Sequence, residues 1–229
     1  MEHKLGLSGS VIMTDPNKFP KLFNKNMDHI EIGEFPNQES FHLFLELLNE
    51  TNMSLGLHSP LYRNRSKYDL LEKVQYEPEQ AWEQFEEETK IMSQLGAKYI
   101  LVHFPYFKEE RDTDTIKNIE EGLKRLHALQ LKYSIPIVCE PKLGINRSTF
   151  GIESLDNFPI EIWDKYGINL CIDIGDYLIA RGDKALDYIV KWKKYIKVVH
   201  LHNVEYHDDK YTWVPIHPSH ENDEVHFNV

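Results

Sequence analysis

Six short apolar runs in this chain each end on histidine, aspartate or glutamate, at residues 30–31, 55–58, 99–103, 135–140, 168–173 and 198–200. Extended with their flanks they predict strands over 4–12, 28–33, 54–58, 99–103, 136–140, 169–173 and 197–202. Helical spacing fills much of the rest. Residues 38–51 carry Phe41, Leu45 and Leu48 on one stripe. Residues 77–95 place Trp82, Phe85, Met92 and Leu95 on one face, with Pro78 in the first turn and Gly96 at the stop. Ile116, Ile119, Leu123, Leu126 and Tyr133 predict a helix over 113–133. Shorter helices are predicted over 159–166, ending at Gly167, and over 183–195, with Asp183 as N-cap.

Strand and helix alternating in this way imply a parallel sheet built from right-handed crossovers. An open dinucleotide-binding sheet carries a glycine-rich turn after its first strand. The first strand here leads into Leu7-Ser8-Gly9-Ser10, and no G-x-G-x-x-G occurs. Polar residues stand at the ends of many strands, as in a barrel whose strands all feed one central site. The fold class read from the pattern is α/β, a TIM-type (β/α) barrel forming a single domain over residues 1–229. The seventh strand is the last to be found, and residues 223–229 read as the entry to a helix. A full barrel takes about 250 residues, so the chain is expected to lack its eighth strand or to stop before it.

A buried strand gains nothing from an ionisable residue at its last position. Several such strand ends brought together are, by contrast, a means of holding a divalent cation, since imidazoles and carboxylates suit zinc, manganese and related ions. Proline sharpens the pattern. His58-Ser59-Pro60, His103-Phe104-Pro105 and Glu140-Pro141 each stop a strand with its last ionisable side chain at the barrel mouth. Cys171-Ile172-Asp173 and Val199-His200-Leu201-His202 follow. Capping of loop backbone accounts for one or two such residues, hardly for five.

Composition narrows the class. No stretch nears the roughly 18 apolar residues of a membrane helix, and the N-terminus lacks a signal-peptide core, so no membrane association is expected. Cys139 and Cys171 lie inside predicted strands and read as buried thiols in a reducing cytoplasm. The formal net charge of −11 argues against a nucleic-acid partner. Arg63, Arg65 and Lys67 form a small basic cluster in the long loop after His58, a segment placed to act as a lid. Arg63 or Arg65 is a candidate grip for a phosphate or carboxylate. Lys142, just beyond Glu140, is expected to be solvated, with contact to an anionic substrate as the alternative.

The order of these motifs resembles the xylose-isomerase-like barrel superfamily, which contains sugar isomerases, epimerases and the metal-dependent apurinic-site endonucleases. The resemblance rests on His58-Ser59-Pro60-Leu61-Tyr62, Cys139-Glu140, Cys171-Ile172-Asp173-Ile174-Gly175-Asp176, Val199-His200-Leu201-His202-Asn203 and the segment from His217 to Asn222. It implies Glu140, Asp173 and His200 as metal ligands. His58 and His103 would be further ligands or substrate contacts, and His217 would line the same mouth. Residues two apart on a strand face one side, so His202 also points inward, as a group behind the ligands or a substrate contact. Three departures stand out. Asp176 replaces a histidine of the endonucleases, Pro215 replaces an aspartate, and the eighth-strand glutamate that serves the isomerases as ligand and base has no counterpart.

The leading expectation is a metal-dependent isomerase or epimerase acting on a sugar or sugar-phosphate-like small molecule. Zinc, manganese or cobalt would be the cofactor, Glu140 or His103 the base, and His58, His202, Arg63 and His217 the substrate contacts. The alternatives are a phosphodiester hydrolase of the apurinic-site endonuclease type and a degenerate, non-catalytic barrel. A homodimer is one way to cover the open seam.

Overall fold

In a computed structural model, residues 4–10, 12–23, 26–110, 115–207, 210–220 and 225–226 are described. The expected strand and helix starts at 4–12 and 113–133, and the tail at 223–229, therefore fall partly outside the described residues. The parallel strands follow one another in chain order: β1 (Gly6–Ser8), β2 (His29–Ile32), β3 (Ser54–His58), β4 (Ile100–His103), β5 (Ile137–Glu140), β6 (Asn169–Asp173) and β7 (Ile196–His200). The chain divides into two compact units, Met1–His103 with Gly122–Ile137, and Phe104–Glu121 with Val138–Val229.

In the first unit, parallel pairing sets Ile30 beside Leu55 and Leu57 beside Ile100. Helix α1 (Gln38–Asn49) begins at Asn37, whose side chain accepts the Ser40 N–H at 2.9 Å, a cap worth about 1 kcal/mol. Its buried face is Phe41 and Phe44 rather than the full expected stripe. Helix α2 (Pro78–Gln94) buries Trp82, Phe85 and Met92 as predicted, whereas Leu95 follows the helix and is exposed. Each large side chain fully buried in this way contributes about 1.5–3 kcal/mol. Helix α3 (Thr115–Tyr133), whose residues up to Glu121 are counted with the second unit, buries Ile119, Leu123 and Leu126 and leaves Ile116 exposed. Its Arg125 pairs with Glu79 of α2. Between β2 and α1 stands Gly33, where a Cβ would lie 2.3 Å from the His58 carbonyl oxygen. Only glycine admits that approach at the end of β3.

The second unit contains α4 (Phe150–Asp156), α5 (Ile160–Tyr166), α6 (Ile174–Arg181) and α7 (Ala185–Trp192) around β5, β6 and β7. Helix α5 ends at Gly167 in a left-handed conformation, as its sequence predicts. The residue expected to cap a helix at 183 lies instead in a short 3-10 turn ahead of α7. Helices α4 and α6 carry no clear stripe in the sequence. The segment 174–178 of α6 is buried throughout, Asp176 included, which leaves no polar stripe to mark it as a helix.

The parallel set ends at β7, as expected. The single strand predicted over 197–202 breaks after His200, and β8 (His202–His207) turns into an antiparallel hairpin with β9 (Lys210–Pro215). No helix among the described residues is long and apolar enough to cross a membrane.

Candidate active site

In the second unit the register between β6 and β7 places Asp173 opposite His200. Pairing of β5 with β6 sets Cys139 beside Leu170, which brings Glu140 next to Cys171 one residue on. Ligand atoms of Glu140, Cys171 and His200 all lie within 4.8 Å of one another. Glu140 is 1 % exposed, and its Oε1 stands 3.2 Å from Nδ1 of His200.

Asp173 ends β6 and also caps α6, its Oδ1 accepting the Asp176 N–H at 3.3 Å. Its Oδ2 stands 3.4 Å from Nδ1 of His202. The two histidine rings, 6.2 Å apart, thus serve different carboxylates, His200 with Glu140 and His202 with Asp173. Their spacing in the sequence put both near the site but did not divide them.

Lys142 overturns its expected solvation. The ammonium lies 2.7 Å from Asp176 Oδ2, 3.2 Å from Asp173 Oδ2 and 3.5 Å from Glu140 Oε1. Burial alone would lower the lysine pKa, but the charges of Glu140, Asp173 and Asp176 outweigh it and hold the group well above its usual range. Burial likewise works against ionisation of Asp173, yet Lys142 and the His202 hydrogen bond leave its pKa below the ordinary value. Asp176 is pushed up to about 6, by burial first and then, against the pull of Lys142, by Asp173 and Glu140. The Trp213 indole donates to Asp176 Oδ1 at 3.1 Å. That indole comes from β9 and crosses Gly175, where a Cβ would lie 2.7 Å from Trp213 Cδ1. Lys142 and Trp213 are the members of this site that sequence reasoning missed. Cys171 sits in it as a buried thiol, as expected of its strand.

His217 is exposed, and its Nδ1 pairs with the Ser219 hydroxyl at 2.8 Å.

In the first unit His58 and His103 are brought together, with Nε2 atoms 3.0 Å apart and rings in an edge-on contact at 4.7 Å. Tyr68 stacks on the other side of His103 at 4.9 Å. Beneath the strand end, Glu88 of α2 accepts the Ser59 hydroxyl at 2.7 Å and the Leu61 N–H at 2.9 Å. Its burial pushes the carboxyl up to about 7. Arg63, Arg65, Lys67, Tyr68 and Asp69 line a cavity of 450 Å³ in the long loop. Lys67 pairs with Glu34 across it, and Asp69 is satisfied by the N–H groups of Val74, Gln75 and Tyr76. Arg63 remains exposed on its rim.

The donor chemistry around Glu140 suits a divalent ion, since carboxylate, imidazole and thiolate oxygen, nitrogen and sulfur all bind zinc-like metals.

Residues 11–224 match the sequence profile of the family described as Xylose isomerase-like TIM barrel. No curated protein sequence matches the chain. Among solved structures it is similar to a D-tagatose 3-epimerase-like protein, with 19 % identity over 90 % of this chain and 79 % of that one, TM-score 0.66. A xylose isomerase domain containing protein from Salmonella typhimurium gives 12 % identity over 98 % and 82 %, TM-score 0.67. Endonuclease IV from Thermus thermophilus gives 14 % over 86 % and 75 %, TM-score 0.56. At these identities the likeness is one of fold.

Proposed function

The chain belongs to the xylose isomerase-like TIM barrel family, and from that premise we propose that it is a metal-dependent isomerase or epimerase of a small polyhydroxylated substrate, a sugar or sugar phosphate. The observation that carries this reading is the buried Glu140 carboxylate at the end of a strand, with ligand atoms of Glu140, His200 and Cys171 all within 4.8 Å of one another. Glu140, Asp173 and His200 are the ligands in this reading, with the Cys171 thiol adjoining them. A bound zinc, manganese or cobalt ion would supply Lewis acidity at a substrate carbonyl.

The protein's own groups do the rest. Glu140 takes the proton from the carbon next to the carbonyl and, for isomerisation, returns it to the neighbouring carbon on the same face, whereas inversion at the first carbon takes a second proton carrier on the opposite face. General-base transfer of this kind contributes about 100- to 10,000-fold. His200 holds the Glu140 carboxylate in place through its Nδ1, and His202 stands within ion-pair distance of Asp173. On the sequence argument, His103 is the alternative proton carrier, and His58, His202, Arg63 and His217 contact the substrate. Arg63 and Arg65, which line a cavity of the first unit, are on the sequence argument the candidate grip for an anionic substrate end. Phosphodiester hydrolysis has less support, because Asp176 and Pro215 stand where the endonucleases of the resemblance carry ligands.

The test is incubation of metal-replete protein with a panel of ketoses and ketose phosphates in deuterium oxide. Exchange of deuterium at the carbon next to the carbonyl, abolished in Glu140→Gln, is the expected result. Cleavage of an abasic-site duplex without any sugar exchange would replace this reading with the hydrolase.

A further inference from the structure

Lys142 reaches carboxylates from three different elements: Glu140 at the end of β5, Asp173 at the end of β6 and Asp176 in the first turn of α6. Its ammonium donates to Asp173 Oδ2 and Glu140 Oε1 and stands within ion-pair distance of Asp176 Oδ2. Other groups of the chain also stand against these acids. His200 meets Glu140, the Asp176 N–H and His202 meet Asp173, and the Trp213 indole meets Asp176. The acids assigned to a divalent ion are thus already served by a cation carried on the same strand end.

We infer that Lys142 is a built-in competitor of the divalent ion, its ammonium filling the carboxylate cluster until a metal displaces it. Two cations a few ångströms apart in a buried site repel strongly. Metal entry therefore requires the lysine arm to leave Glu140 and Asp173. The arm has room to do so: its side chain retains 18 % exposure, so its flexible stem has an open side. Asp176 makes the shortest contact and holds the arm in place. The consequence is a protein that stays folded without metal and binds it more weakly than its donor set alone would allow. The inference rests on the reading of this cluster as a metal site.

The test uses the full chain, stripped of metal, with manganese(II) chloride as the probe. Calorimetric titration of Lys142→Met is expected to show one ion bound about tenfold or more tightly than by the unaltered protein. A second measurement needs no variant. Lys142 should resist acetylation by acetic anhydride in the metal-free protein and become reactive at saturating manganese, read by mass spectrometry of the peptide. Equal affinity in the two proteins, or a Lys142 that stays protected with manganese bound, overturns the inference and leaves the proposed metal-dependent isomerase standing. Absence of binding by both proteins overturns the inference and the metal assignment together. Sugar deuterium exchange by the metal-free protein then tells whether the isomerase reading survives without a metal.

Discussion

The ammonium of Lys142 and the carboxylate of Asp176, 34 positions apart in the chain, meet at 2.7 Å, and both side chains are largely withdrawn from solvent. Removing the lysine leaves Glu140, Asp173 and Asp176 facing one another without a counter-charge. Breaking a buried ion pair from one side costs about 3–5 kcal/mol. Lys142→Met is expected to unfold at lower denaturant concentration by that margin in chelator, and to recover part of it when manganese is added. Denaturant titrations with and without the metal check both halves.

Glu88 makes stability depend on pH. Burial first, against its bonds from Ser59 and Leu61, raises its carboxyl from 4.5 to about 7 in the folded chain. Between these values the folded state holds a proton that the unfolded state has released. Stability from this group is therefore complete below about pH 4.5 and lost as pH rises through 7. The loss approaches about 3 kcal/mol. Glu88→Gln should abolish that slope, so the variant gains on the unaltered protein between pH 5 and pH 8 in parallel unfolding curves.

The Gly175→Ala substitution places a methyl group where the Trp213 indole lies, 2.7 Å from Cδ1. Overpacking of this kind costs about 1–3 kcal/mol. The indole must also release Asp176 Oδ1. A red-shifted tryptophan emission together with a lowered unfolding midpoint is the expected outcome, and Trp213→Phe should remove the emission change.

Arg63 and Arg65 line the same cavity. If an anionic end of the substrate docks there, Arg63→Ala forfeits a charge-assisted hydrogen bond worth about 1.5–3 kcal/mol. For a phosphorylated sugar this appears as a KM raised about tenfold or more with kcat unchanged. The corresponding unphosphorylated sugar should show no change in KM.

Several features were legible in the chain before any coordinates. Ionisable residues closing apolar runs marked the ends of β3, β4, β5, β6 and β7, because a strand's period of two and its proline stops are local properties. The faces of α2 and α3 followed from helical spacing for the same reason. Local pattern also made errors. Leu95 continued the α2 stripe on paper but lies past the last turn and is exposed. Residues 174–178 are buried throughout, Asp176 included, so α6 presents no amphipathic stripe in the sequence. Glu88 carries no sequence signal of its own in an acidic helix, and only its packing under Ser59 and Leu61 makes it a buried acid.

By itself the amino-acid order determined the parallel α/β plan and the set of strand-end residues that carry chemistry, since both rest on periodicities a few residues long. Tertiary structure alone decided which of those residues meet. A lysine two positions after Glu140 looks solvated in any local window. It becomes the centre of the site because the β5–β6–β7 pairing and the first turn of α6 bring acids from distant positions around it. Long-range charge contacts leave no periodic trace in a sequence, and burial is a property of the whole packed chain.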